Sequence, residues 1–198
     1  VYKRQVYNGE KTLERCINSV LEQSIKPSNI LILNDCSNDN TIEILKKYGA
    51  LIRIKSNQSN LGLSHSRNIA VNELKTRYIA SIDADVELDK YWLEILYSSI
   101  LKNDATLAGG RMYEKYLNNP FNHWRSLRIG QQWGDKDLTE PSFIFGCNNI
   151  LDTERIEKKS IYIHANEARQ IQSAIKWANQ NNLKIIIVGG ADSWRLTD

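Results

Sequence analysis

Two carboxylates separated by one residue, in Ile82-Asp83-Ala84-Asp85-Val86, close a short apolar run and form the sharpest chemical feature of the sequence. In an extended chain alternate residues point to opposite sides, so one carboxylate can face a crevice while the other braces the loop or meets a ligand hydroxyl. A hard divalent cation held by one or two carboxylates, its shell completed by water and diphosphate oxygens, is Mg²⁺ or Mn²⁺. The same residues also suit a solvated acidic turn that caps the next helix through Asp89. A second polar cluster, Asn34-Asp35-Cys36-Ser37-Asn38-Asp39-Asn40-Thr41, offers acceptors for a base or a ribose. We read Asp35 as ligand-facing and Asp39 as structural, with Asp39 or Asn40 the N-cap of the following helix. A third, Asn60-Leu61-Gly62-Leu63-Ser64-His65-Ser66-Arg67-Asn68, brings Arg67 to a helix N-terminal turn. That arrangement suits a phosphate or a base, and equally a surface salt bridge.

The elements that position these clusters alternate in a regular way. Leu13, Ile17, Val20 and Leu21 fall on one stripe of a helix that ends near Pro27. Ile30-Leu31-Ile32-Leu33 is a continuous apolar run, the mark of a strand buried on both faces of a parallel sheet. Residues 39–47 suit a helix, 51–55 a strand, 63–75 a helix and 78–82 another buried strand. Beyond Asp89 a helix carrying Trp92, Leu93 and Leu96 leads to a strand over 105–112, and an aromatic and polar segment over 116–133 follows. Such a β-α-β-α-β order implies a mostly parallel sheet covered by helices, with ligands outside the carboxyl ends of the strands. Residues 34–39 and 83–87 are therefore expected at the mouth of one crevice.

Composition leaves this reading intact and removes others. The chain has 198 residues, 41% hydrophobic and 25% charged, so it folds as a globular protein. Its 26 basic and 23 acidic residues are scattered, which argues against nucleic acid as a partner. Tyr78, Trp92 and Tyr97 fall in core patterns rather than beside basic stripes. Cys16, Cys36 and Cys147 are spaced for neither a disulfide framework nor a zinc cluster, which points to a reducing compartment. No apolar run approaches the roughly 18–20 residues that cross a bilayer, so any membrane contact is peripheral. The expected location is the cytoplasm, including the inner face of the cell membrane.

Taken in order, Val6-Tyr7-Asn8-Gly9-Glu10, the helix with Cys16-Ile17-Asn18-Ser19-Val20-Leu21-Glu22-Gln23-Ser24, the three clusters, Trp124-Arg125, Gln131-Gln132-Trp133-Gly134 and Phe145-Gly146-Cys147-Asn148-Asn149 resemble family 2 glycosyltransferases of the GT-A fold, over residues 6–153. The resemblance implies an α/β, Rossmann-like fold and transfer of a sugar from a nucleotide-diphospho-sugar, of the UDP type, to a saccharide or lipid-linked acceptor hydroxyl with inversion. It implies that Tyr7 lies against the nucleobase, Asp35 hydrogen-bonds it, Arg67 lies near base or diphosphate, Asp83 contacts ribose or sugar, and Asp85 binds Mn²⁺ or Mg²⁺. Two departures stand in the second cluster: the family's pair of acids is Asn34-Asp35, and its glycine is Cys36, a less permissive residue in a turn.

The family's acidic motif, which supplies the general base, is missing after Leu151, so no catalytic base is assigned. Glu154 and Glu157 carry no spacing that marks them as substitutes. Residues 160–198 instead resemble one strand-helix-strand step of an amidohydrolase barrel of the imidazolonepropionase-like group, striped by Ile171, Ile175 and Ala178, with His164 where that family places a metal ligand. Residues 1–5 resemble the translated end of a sequencing adapter. The expected organisation is thus an adapter-like artefact over 1–5 with a first strand shortened before Val6, a donor-binding domain over 6–153, and an appended β-α-β piece over 154–198 joined as a chimaera. A non-catalytic nucleotide-binding module and a metal-hydrolase fragment are the alternative functions.

Overall fold

The structure is a computed structural model that describes residues 2–62, 69, 73–128, 136–139, 141, 144, 148–156, 161–165, 168–180 and 185–189. For residues 2–4, 125, 128, 156, 161–165, 168–170, 177 and 185–189 it describes the backbone alone. A six-stranded sheet runs in the order β3-β2-β1-β4-β6-β5. Its strands are β1 (Tyr2–Val6), β2 (Ile30–Asn34), β3 (Arg53–Ser56), β4 (Tyr78–Ile82), β5 (Leu107–Gly109) and β6 (Asn148–Asp152). The pairs β1–β2, β1–β4 and β2–β3 are parallel, whereas β6 lies antiparallel between β4 and β5.

All five residues of β2 are buried, as a continuous apolar run requires when both faces of a strand are covered. Period-two alternation divides them between two layers. Ile30 and Ile32 join Ala80 and Ile82 of β4 in a large core, while Leu31 and Leu33 pack with Ile79 and Leu74 on the opposite face. The large core is closed by α1 (Leu13–Leu21) through Leu13, Ile17 and Val20, by α2 (Thr41–Lys46) through Ile44 and Leu45, and by α3 (Trp92–Asn103) through Trp92, Leu96 and Ile100. Tyr78 and Tyr97 meet edge to face with ring centroids 5.0 Å apart, which places both in the packing.

Four elements differ from expectation. Residues 2–6, where a shortened first strand is expected, form β1, which pairs with both β2 and β4 at the centre of the sheet. The strand expected over 51–55 begins at Arg53, because Gly49–Leu51 forms a 3-10 turn; its four residues are exposed, as befits an edge. The strand expected over 105–112 is confined to Leu107–Gly109. β6 itself was not anticipated. Its inward positions are Asn148, Ile150 and Asp152, so two of the three buried side chains are polar and the apolar alternation that marks a strand is broken. The helix expected over 63–75 falls largely outside the described residues.

Short helices α4 (Pro120–Arg128) and α5 (Thr153–Ile156) flank β6, and a separate two-stranded parallel sheet follows. It comprises β7 (Ile161–Ala165), α6 (Ala168–Gln180) and β8 (Ile185–Gly189), the strand-helix-strand step expected there. Ile171, Ala174 and Ala178 are buried among the described side chains of α6; Ile175, expected on that stripe, is exposed. Among the described residues, no helix is long and apolar enough to cross a membrane.

Candidate functional site

Because β1, β2, β3 and β4 are mutually parallel, the segments that follow them emerge at one edge of the sheet. The strand order reverses between β1 and β4, the point at which open α/β sheets leave a crevice. Residues 7–10 and 83–85 are neighbours there, since a Cβ added to Gly9 would stand 3.8 Å from the Ala84 Cβ. The same added atom would come within 2.4 Å of Val6 Cγ2, so only glycine allows this chain reversal.

The polar residues of 34–41 act mainly on the β1 segment. Asn8 donates its backbone N–H to Ser37 Oγ (3.0 Å), Gly9 to Thr41 Oγ1 (2.8 Å) and Glu10 to Asp39 Oδ2 (3.1 Å). In return Asn38 N–H reaches Asn8 Oδ1 (3.0 Å), and Asn40 N–H reaches Glu10 Oε2 (3.2 Å). Asp39 also accepts the Thr41 N–H at 3.0 Å, the structural role expected for it. Asn40 is the N-cap of α2 by position, with no side-chain capping bond. Two residues adopt left-handed backbone here, Asn8 at φ 52° and Cys36 at φ 61°. Cys36 thus occupies a glycine conformation.

Asp35, expected at the base, is fully buried. One carboxylate oxygen accepts from Asn57 Nδ2 (2.6 Å) and the Leu61 N–H (3.0 Å), the other from Gln5 Nε2 (3.0 Å) and the Gly62 N–H (2.9 Å). Burial pushes its acidity down, but the bonds from Asn57, Leu61, Gly62 and Gln5 favour the anion more and hold its pKa below the usual carboxylate value. The Asp35 anion therefore ties β1, β2 and the segment after β3 into one wall.

Tyr7 stands at the mouth of the crevice and is half exposed. Asp83 is partly exposed and Asp85 exposed, and Asp85 makes no hydrogen bond or ion pair with the described residues. Among the described residues no three His, Cys, Asp or Glu side chains gather at one point, so what those residues offer a cation is one or two hard carboxylates. That donor set fits Mn²⁺ or Mg²⁺, which take their remaining ligands from phosphate and water. Two residues on, Glu87 accepts from Lys115 and Tyr116 and pairs with Arg15 Nε at 3.2 Å. The bonds from Lys115 and Tyr116 hold its carboxyl below the usual range. They also fasten residues 113–117 beside the acidic loop, and the exposed side chains of Tyr113, Phe121, Trp124 and Leu127 follow.

Arg67 lies outside the described residues. His164 stands in β7, and its side chain is likewise outside them. Glu154 is at the far edge of the sheet: β6 runs antiparallel to β4, so Asn148 lies beside Ile82 while Asp152 lies beside Tyr78. Sequence reasoning missed Asn148, which is buried, accepts from Trp92 Nε1 (2.5 Å) and leaves no room for a side chain at Gly110. The signal was there in Asn148-Asn149, two amides placed directly after an apolar segment.

Residues 5–154 match the protein family described as Glycosyl transferase family 2. An uncharacterized glycosyltransferase of Haemophilus influenzae is 28% identical over 169 residues, covering 83% of this chain and 51% of its own length. The chain thus spans about half the length of that relative. A mannosyltransferase from Pyrobaculum calidifontis, solved with GDP-Man and Mn²⁺, has a TM-score of 0.61 at 15% identity, over 98% of this chain and 59% of its own. TarS 1-349 of S. aureus, solved with UDP-GlcNAc, has a TM-score of 0.54 at 19% identity, over 96% and 55%. These likenesses establish the fold as GT-A-like. They extend over nearly the whole chain, and give the amidohydrolase resemblance of the tail and the chimaeric joint no support.

Proposed function

Since the chain belongs to glycosyl transferase family 2, we propose that it binds a nucleotide-diphospho-sugar of the UDP type at the C-terminal edge of β1, β2 and β4 and directs the sugar to an acceptor hydroxyl. The observation that carries this reading is Asp85, exposed and without a partner among the described residues, on a loop beside the reversal of strand order. The Tyr7 ring stacks on the nucleobase, Asp83 meets ribose or sugar, and Asp85 holds Mn²⁺ or Mg²⁺ with the diphosphate. Arg67 lies near base or diphosphate. Asp35 serves the base site by fixing its wall, and a direct bond to the base requires one of its four present donors to give way. The bound cation supplies charge neutralisation for the leaving diphosphate.

In the reaction the acceptor oxygen attacks the anomeric carbon as the bond to the diphosphate breaks, with inversion, and the acceptor proton passes to a base. The acceptor, a saccharide or a lipid-linked one, lies along the aromatic segment that Glu87 fastens to the acidic loop, where flat rings offer apolar faces. Peripheral contact with the inner face of a cell membrane belongs to this reading. Glu154 takes no part, since it pairs with Arg77 at 3.4 Å on the opposite edge. The replacement of the acidic motif after Leu151 favours one second reading, a nucleotide-binding module without turnover. For the tail, the order of β7, α6 and β8 with His164 on the first strand is all that supports an amidohydrolase step, and we propose no hydrolysis there.

Isothermal titration with UDP and Mn²⁺ tests the donor site. Binding that is lost in Asp85→Ala is expected; absence of binding, or binding unchanged in that variant, overturns the reading. Transfer from a nucleotide-sugar to an acceptor separates the enzyme from the binding module.

A further inference from the structure

The family-like segment 16–24 begins in α1 and runs past its C-terminal end, and its polar residues have partners of their own. Cys16 and Ser19 fall three positions apart on one face of α1, next to the apolar stripe of Leu13, Ile17 and Val20, and Gln23 follows four positions on, just past the C-cap Glu22. Each bonds to the segment that joins β4 to α3, and the bonds follow in the same order along both. Cys16 Sγ donates to the Asp83 carbonyl at 3.6 Å. Ser19 Oγ accepts the Leu88 N–H at 3.1 Å and donates to the Cys16 carbonyl at 2.8 Å. Gln23, 1% exposed, donates to the Asp89 carbonyl (2.7 Å) and the Ser19 carbonyl (3.0 Å) and accepts the Leu93 N–H (2.9 Å). The Ser24 N–H then reaches the Lys90 carbonyl at 2.8 Å.

We propose that α1 is a rail on which the acidic loop is laid, and that Ser19 and Gln23 are positioning residues for the cation, acting through that loop. The inference rests on the reading of Asp85 as the metal ligand. Asp85 stands in a four-residue span, 84–87, pinned at Asp83 on one side and at Leu88 on the other. Inside it the Val86 N–H closes a turn on the Asp83 carbonyl at 3.1 Å. A ligating carboxylate must be held to within about 0.5 Å, and a span pinned at both ends pays that ordering before the cation arrives. Without the Ser19 hydroxyl the Leu88 N–H loses its partner, the far pin opens, and the ordering falls on metal binding instead. Supporting residues of this kind typically set metal affinity by about 10- to 100-fold.

The test is the Mn²⁺ affinity of the UDP-loaded chain, by titration calorimetry and by the electron paramagnetic resonance of free Mn²⁺. It compares wild type, Ser19→Ala, Ser19→Thr and Ile44→Val, each first shown to be folded by circular dichroism. Ile44 is buried in α2 and takes no part in the bonds between 16–24 and 83–93, so its truncation lowers stability while leaving the rail's hydrogen bonds in place. Ser19→Ala is expected to bind Mn²⁺ about 10-fold more weakly with metal-free UDP affinity unchanged. Ser19→Thr, which keeps the hydroxyl, is expected to restore the metal, and Ile44→Val to melt earlier with wild-type Mn²⁺ affinity. Equal Mn²⁺ affinity in Ser19→Ala and wild type, or an equal loss in Ile44→Val, overturns the rail while leaving the donor site in place. UDP binding by the wild type that Mn²⁺ does not strengthen overturns the metal reading of Asp85 and the rail with it.

Discussion

Asp35 shows how one residue can be picked out by sequence and still play a different part in the fold. Its position after a buried strand marked it for a ligand, yet four donors converge on its two oxygens. A carboxylate stabilised as its anion has a folded pKa below its unfolded one, so its contribution is complete above the unfolded value and lost as pH falls through the folded value. Asp35→Asn, which cannot accept four bonds and brings an amide donor against donors, is expected to destabilise the chain by about 3 kcal/mol at pH 7. The gap to wild type is expected to narrow in denaturant titrations as pH is lowered below 4, because the wild type then loses the same bonds; a gap constant down to pH 2.5 refutes the assignment. Cys36 gives the opposite case, since the departure from glycine visible in the sequence is present in the backbone at φ 61°. A left-handed non-glycine residue costs about 1–2 kcal/mol, and glycine returns roughly half of that in unfolded-state entropy. Cys36→Gly is therefore expected to stabilise by about 0.5–1 kcal/mol, seen as a Tm higher by about 2–4 °C.

Elements were legible wherever burial wrote a simple period. β2 and β4 announce themselves because both faces are covered, and α1 because Leu13, Ile17 and Val20 line one face. β6 was not legible, since Asn148 and Asp152 take inward positions and are paid for by Trp92, Arg77 and Arg155 rather than by apolar neighbours. No local rule reveals Trp92 or Arg77 as such partners, because each stands tens of positions away in sequence; only Arg155 is near its carboxylate. β1 was discounted on the apparent origin of its residues, whereas backbone pairing places residues 2–6 between two strands whatever that origin is. The loops were read correctly as a single edge, with Asp35 assigned to a ligand and Asp39 to structure. Most of their polar residues join loop to loop: Ser37, Asn38, Asp39, Asn40 and Thr41 all bond residues 8–10. A turn that holds polar atoms at fixed positions needs partners for its backbone N–H groups, and side chains nearby in space are the least costly source.

At the scale of the whole molecule the sheet separates two kinds of work along its strands. The edge at the end of β4 carries Asp83, partly exposed, and Asp85, exposed. The opposite edge carries Asp152, fully buried, which accepts from Arg77 Nη2 at 3.1 Å and Arg155 Nε at 3.3 Å, and from the Glu154 N–H at 3.2 Å. Four residue steps of β4, Tyr78 to Ile82, separate the two ends, about 13 Å of strand. Removing one partner of a buried ion pair costs about 3–5 kcal/mol, and the partial exposure of both arginines favours the lower figure. Asp152→Ala is thus expected to lower stability by about 3 kcal/mol in urea titrations while the folded fraction, held at 10 °C, binds UDP and Mn²⁺ within twofold of wild type. Asp85→Ala is expected to do the reverse, losing the metal-dependent binding at unchanged stability, and the double variant to show both losses added, as independent sites do. Nucleotide affinity that falls in folded Asp152→Ala would mean that the two edges move as one body, and that the ion pairs under β4 help to set the donor site.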